Sequence, residues 1–268
     1  MLRKLARRVR NQVAPKHYGL ELAELPRFEG ERSYAFLCGC GRSGTTALVE
    51  LVNRHPDVAI GYERFADRAI AGTLTPDLFT PERFADFQDG DTFRNSYAGD
   101  PVRERVVHKF HSARVVGDKV PTLFRNLDQL EAFDNPKVVF IVREPFAVAQ
   151  SFVARARNPE DKGWAFEHDH RAAVIEFNEA LQAIQTYVAS GKPALVLDYS
   201  ALFQRKEGLG ALWDFLGVDP ARLEDTTDIF EKAKRAEEKR WINAIGTEVS
   251  RNADFDGYRA VLELSPKT

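Results

Sequence analysis

The chain has 268 residues, 44% of them hydrophobic and 29% charged, with a formal net charge of -2 and two cysteines. That size and balance suit one α/β domain with a sizeable core and would cramp two equal ones. Near-neutral charge argues against a whole-surface nucleic-acid binder, and no apolar run approaches the length of a membrane span.

Residues 1–16, MLRKLARRVRNQVAPK, carry six Lys/Arg and no acid, and the apolar core that a secretory signal requires does not follow. We expect residues 1–30 to form a basic arm, solvated or frayed, ahead of a single domain over 31–268. The sharper alternative is an amphipathic segment that touches an anionic membrane. Cys38 and Cys40 are neighbours poorly placed to bridge each other, and no second Cys/His pair accompanies them as a zinc site requires. Together these features predict a cytoplasmic protein, with peripheral membrane contact as the arm's alternative.

Tyr34 to Cys38 read as a short buried strand, followed by Gly39, Gly41 and Gly44 and then by a helix opening at Thr45-Thr46. Strand, glycine turn and helix N-terminus make an anion cradle, because converging N–H groups and the helix dipole both favour negative charge. The spacing Gly39-x4-Gly44 matches a nucleotide-binding P-loop, except that Thr45 stands where the lysine belongs and the cation comes earlier, at Arg42. Such a loop holds a phosphate-like group, but not ATP with magnesium as its natural ligand.

His55-Pro56 ends the helix, and VAIGYE (58–63) is a second strand leading into Glu63. Residues 66–105 read as short helices and loops over one face. RVVGDK (114–119) is a strand, Leu123 to Phe133 a helix, and KVVFIV (137–142) the clearest buried strand. Pro145 opens a helix to about Arg157, Trp164 to Ala189 forms a long amphipathic one, ALVLDY (194–199) is a strand and 208–218 a helix. Strands alternating with helices imply a central parallel sheet covered on both faces, with ligands beyond the strands' carboxyl ends. Lys119 and Arg143 both fall at such ends, and Arg143, Ser151 and Arg155 make an Arg–Ser–Arg cluster that suggests a second phosphate site.

At this point the sequence resembles the PAPS-dependent sulfotransferases (PAPS, 3′-phosphoadenosine 5′-phosphosulfate). GRSGTT (41–46) is similar to their 5′-phosphosulfate loop, and REPFAVAQSFVAR (143–155) fills every fixed position of their 3′-phosphate motif, R-x-P-x5-S-x3-R. LVLDYSAL (195–202) resembles a further family block; KRW (239–241) and Gly257-Tyr258 resemble the C-terminal pattern more weakly. HPDVAIGYE (55–63) is most similar to the tyrosylprotein and carbohydrate enzymes and their bacterial relatives, although the membrane anchor and cysteine-rich stem of the Golgi members are lacking.

The resemblance implies a three-layer P-loop nucleotide-hydrolase-like fold. It implies in-line sulfuryl transfer from PAPS to a hydroxyl or amine of a carbohydrate, glycolipid or small molecule, with PAP released and no metal. Glu63 is then the base, with His108 or His111 of VHKFH as alternatives, and Arg42 and Lys119 stabilise charge. Gly41, Arg42, Ser43, Gly44, Thr45, Thr46, Arg143, Ser151, Arg155 and Tyr199 hold the donor, with Lys239, Arg240 and Trp241 beside adenine. Simpler roles stay open: Glu63 as a helix cap, Lys119 paired with Asp118 or Asp134, Tyr199 as a core aromatic. Residues 64–105 and 156–170 are the expected acceptor walls. A P-loop kinase and a non-catalytic PAP- or PAPS-binding protein remain the competing functions.

Overall fold

The computed structural model describes residues 26–92, 100–161, 164–238 and 245–266. The arm over 1–25 and Lys239, Arg240 and Trp241 lie outside the described residues.

Five strands, β1 (Ser33–Cys38), β2 (Val58–Tyr62), β3 (Val115–Lys119), β4 (Lys137–Val142) and β5 (Ala194–Asp198), form one parallel sheet in the order β2-β3-β1-β4-β5. β2 and β3 are buried along their whole length. A strand that repeats apolar residues without alternation can be satisfied only when both faces are covered, here by helices. The first strand sits centrally, so the chain builds outward on one side with β2 and β3 and on the other with β4 and β5. The crevice at the carboxyl end of β1 is therefore the switch point where an open α/β sheet takes its ligand.

The helices are α1 (Thr45–Val52), α2 (Ala66–Ile70), α3 (Pro81–Ala85), α4 (Pro101–Lys109), α5 (Pro145–Ala156), α6 (His170–Ala189), α7 (Tyr199–Arg205), α8 (Leu209–Leu216), α9 (Thr227–Glu238), α10 (Gly246–Asn252) and α11 (Phe255–Glu263). Acidic caps set several starts: the Glu144 carboxylate accepts the Phe146 and Ala147 amides at 3.1 and 3.0 Å, with Pro145 at the first helical position of α5. The Phe-rich stretch predicted as short helices and loops does cover one face. Phe79 stands edge-on to Tyr34, Phe36, Phe65 and Phe133, which locks residues 65–79 onto β1.

Three expected elements differ. The helix over Leu123–Phe133 is instead two 3₁₀ segments, Pro121–Arg125 and Leu127–Ala132. Asn126 leaves helical geometry (φ -140°, ψ 50°) and its amide bonds the Ala69 and Ile70 carbonyls, a tertiary tie that overrides local propensity. The long helix begins at His170, not Trp164, because Asp169 caps it by accepting the Arg171 amide at 2.8 Å. Strand β5 stops at Asp198, whose carboxylate caps α7, so Tyr199 opens a helix.

Candidate active site

All five strand ends contribute to one cleft of about 980 Å³. At its centre is the loop between β1 and α1. Gly44 takes φ 103° and Arg42 φ 67°, the second unusual for a residue with a side chain and a local strain that the loop holds in place. Gly44 is required twice over. Its φ is left-handed, and a Cβ there would lie 2.3 Å from the Tyr199 ring. The buried Ser43 hydroxyl has no nitrogen or oxygen partner among the described residues. An orphaned donor inside an amide-lined turn at a helix N-terminus is what an incoming phosphate satisfies.

The loop and the proposed second phosphate site meet directly. Arg42 Nε donates to Ser151 Oγ at 2.9 Å, and Arg143 donates to the Arg42 carbonyl at 3.5 Å. The Arg143 guanidinium lies 4.3 Å from the centre of the Tyr199 ring, so Tyr199 is buried and at the same time forms the platform under a cleft cation. Arg155 also lines the cleft, with its Nε on Asp161 at 2.5 Å and its guanidinium over Trp164.

On the other side stand Glu63 and Lys119. Lys119 Nζ donates to Glu63 Oε1 at 2.7 Å, with the two residues only 3% and 7% exposed. The simpler alternative, Lys119 paired at the surface with Asp118 or Asp134, gives way to a buried bond to Glu63, since register places Tyr62 beside Lys119 at the strand end. The residue at the N-cap of the helix that follows is Phe65, and Glu63 adopts φ 61°. Its turn is held from below by Asp118, whose carboxylate accepts the Arg64, Phe65 and Lys119 amides at 3.1, 2.8 and 2.9 Å. Gly61 leaves room for that carboxylate: a Cβ there would come within 2.5 Å of Asp118 Oδ1. Burial pushes the Asp118 carboxyl up to about 6, against the amides and Lys119, which favour the charged form. Glu63 lines the cleft; neither His108 nor His111 does. His111 precedes the amino end of β3, the wrong end of the sheet for the cleft.

Next to Glu63, Arg64 is fully buried, a residue that pattern reading passed over. It donates to Asp91 at 2.8 Å and to the Phe84 and Asp86 carbonyls at 2.8 Å, and it packs against the Phe65 and Phe87 rings. Burial works against the Asp91 charge, yet hydrogen bonds from Arg83 and Arg64 hold its carboxyl below the ordinary value. Arg64→Ala leaves Asp91 to Arg83 and removes the donor to the Phe84 and Asp86 carbonyls, at an expected cost of about 3 kcal/mol. At this chain length that lowers Tm by roughly 10 °C, measured by calorimetric unfolding. Because the Asp91 pKa is depressed on folding, its contribution is complete above the unfolded value of about 4 and fades as pH falls below it. The gap between wild type and R64A is therefore expected to narrow in acid by the Asp91 part, while the part from the carbonyl bonds persists.

The cleft walls also include residues outside the expected stretches. Arg125 and Asn126 come from the 3₁₀ turn after β3, Phe152 from α5, Ile175 and Glu176 from α6, and Ile229 and Lys232 from α9. Glu176 Oε1 accepts the Gly41 amide at 2.6 Å and so places a carboxylate on the first amide of the loop. No motif marks these positions; they are helix-face residues that tertiary packing alone turns toward the cleft.

The sequence model of the sulfotransferase family matches residues 35–222, more than half of the chain. No curated protein sequence matches it. Among solved structures, the sulfotransferase domain of the Synechococcus PCC 7002 olefin synthase is similar over 90% of this chain and 98% of its own, at TM-score 0.52 and 18% identity. A sulfotransferase from Alicyclobacillus acidocaldarius is similar over 86% of this chain and 100% of its own, at TM-score 0.50 and 17% identity. At these identities the likeness is one of fold, while the family rests on the sequence match itself. The P-loop cleft and the family match agree: the chain belongs to the sulfotransferase family and is an enzyme of that class.

Proposed function

We propose that this enzyme transfers a sulfuryl group from PAPS to an acceptor hydroxyl and releases PAP. The observation that carries this reading is one cleft with a glycine turn at its centre, Glu63 on one side, bonded to the buried Lys119, and Arg143 on the other, where Arg42 bonds Ser151. The donor supplies the sulfuryl group and a 5′-phosphate leaving group. The Ser43 hydroxyl and Gly44, Thr45 and Thr46 would bind that phosphate through N–H groups and hydroxyls, with Arg42 alongside, while Gly41, its amide on Glu176, shapes the turn. Arg143, Ser151 and Arg155 would hold the 3′-phosphate, with Tyr199 fixing the plane of Arg143.

Chemistry needs a base for the acceptor proton. The acceptor oxygen forms the new S–O bond, the bond to the 5′-phosphate breaks, and the proton passes to the Glu63 carboxylate. Proton uptake neutralises the partner of Lys119, which leaves the ammonium charge available to the departing phosphate. Arg42 and Lys119 supply the positive charge that a transition state with spread negative charge requires.

Calorimetric titration with PAP, AMP and ATP–Mg tests the reading. PAP is expected to bind more tightly than AMP by about 10–100-fold, the worth of one set of charge-assisted hydrogen bonds. Equal binding of AMP, or a preference for ATP–Mg, would return the chain to the kinases.

A further inference from the structure

Taking the sulfotransferase reading as its basis, we infer that the acceptor is an alcohol with an extended apolar body, alkyl or aryl, rather than a polyhydroxyl sugar. Among the described residues five large hydrophobic side chains are exposed, and two of them, Ile70 at 53% and Ile175 at 61%, line the same cleft. A third, Phe166 at 73% exposure, sits in the turn between the cleft residues Trp164 and His168. Scattered exposed apolar residues need no explanation, but gathered at the mouth of one cavity they do.

The elements that carry these side chains are each anchored. Ile70 ends α2, and the Asn126 amide donates to its carbonyl at 3.0 Å. Ile175 lies on α6, tied to the same turn by Arg125, which bonds Glu179 Oε2 at 3.0 and 2.7 Å. Both helices thus pack on the Pro121–Arg125 turn, which ties the two isoleucines to one anchored stretch of the cleft wall. The Trp164–His168 turn is closed as well, by Trp164 Nε1 on the His168 carbonyl at 2.8 Å. Between these walls the cleft continues over Val120 and Phe152 to Glu63. An acceptor that brings its hydroxyl to Glu63 would lay its remaining length along this apolar lining. Arg125, Asn126 and Glu176 also line the cleft and can bond some hydroxyls of a sugar. Those turned to Ile70, Val120, Phe152 and Ile175 would be buried without partners, a penalty that favours the apolar body.

The test uses the full chain loaded with PAP, so donor binding is verified before any acceptor is added. Primary alcohols from butanol to decanol, with glycerol and glucose beside them, are titrated by tryptophan fluorescence and also assayed for turnover with PAPS. Affinity is expected to rise roughly fourfold per added CH₂ until the cleft is filled. Ile175→Asp should flatten that dependence, with the Kd for PAP unmoved. No chain-length dependence, or binding of glucose or glycerol equal to that of the long alcohols, would overturn the proposal while PAP binding still stood. Loss of PAP binding itself would overturn the donor reading first.

Discussion

Glu63→Gln is expected to lower kcat by about 10²–10⁴-fold, the usual worth of a general base, with PAP affinity unchanged. Glutamine is the informative replacement because Lys119 is buried against this carboxylate at 2.7 Å. Alanine would take away the carboxylate that the buried Lys119 donates to, and the resulting loss of stability would be confused with loss of chemistry. The amide oxygen still accepts from Lys119 but cannot take a proton. Steady-state kinetics with PAPS in excess, beside His108→Ala and His111→Ala, decides the assignment. Neither histidine lines the cleft, so both variants should retain kcat. A larger loss in a histidine variant than in E63Q would move the base to that histidine.

The second large effect belongs to Arg143. Its guanidinium lies over Tyr199 at 4.3 Å and reaches the Arg42 carbonyl, so it is positioned before any donor arrives. Arg143→Ala is expected to weaken PAP by about 10–100-fold, the loss of charge-assisted hydrogen bonds worth about 1.5–3 kcal/mol. AMP, which lacks the 3′-phosphate, should bind R143A and the wild type alike. The selectivity between the two nucleotides is then the readout, and it separates recognition from a general loosening of the cleft. Arg143→Lys should restore little, since an ammonium neither stacks on the ring nor forks across a phosphate. If R143A weakens AMP as much as PAP, the arginine serves the loop rather than the 3′-phosphate.

Local pattern was enough for much of the fold. The buried runs at 34–38, 58–62 and 137–142 read as strands because a strand covered on both faces needs unbroken apolar residues, and each proved to be one. The glycine turn and the Arg143–Ser151 spacing were legible for a related reason. Both are spacings within one short stretch of chain, a glycine turn where backbone geometry restricts the residue type, as at Gly44, and an Arg and a Ser around one helix start. Failures came where a distant partner decided the outcome. Asn126 broke the expected helix by bonding α2, more than fifty positions away, and Asp169 rather than periodicity set the start of α6.

What the sequence alone determined was the sheet class, the anion loop and the candidate residues at the strand ends, because period, glycine and charge act over a few residues. Only the tertiary structure decided that Lys119 faces Glu63, that Asp118 and Arg64 brace the turn between them, and that Glu176 reaches the loop at Gly41. Each of those contacts joins segments far apart in the chain, and strand order and register bring them together. The apolar mouth of the cleft is of the same kind. Ile70 and Ile175 belong to unremarkable helices, and only the turn between them makes two exposed isoleucines into the walls of one cavity.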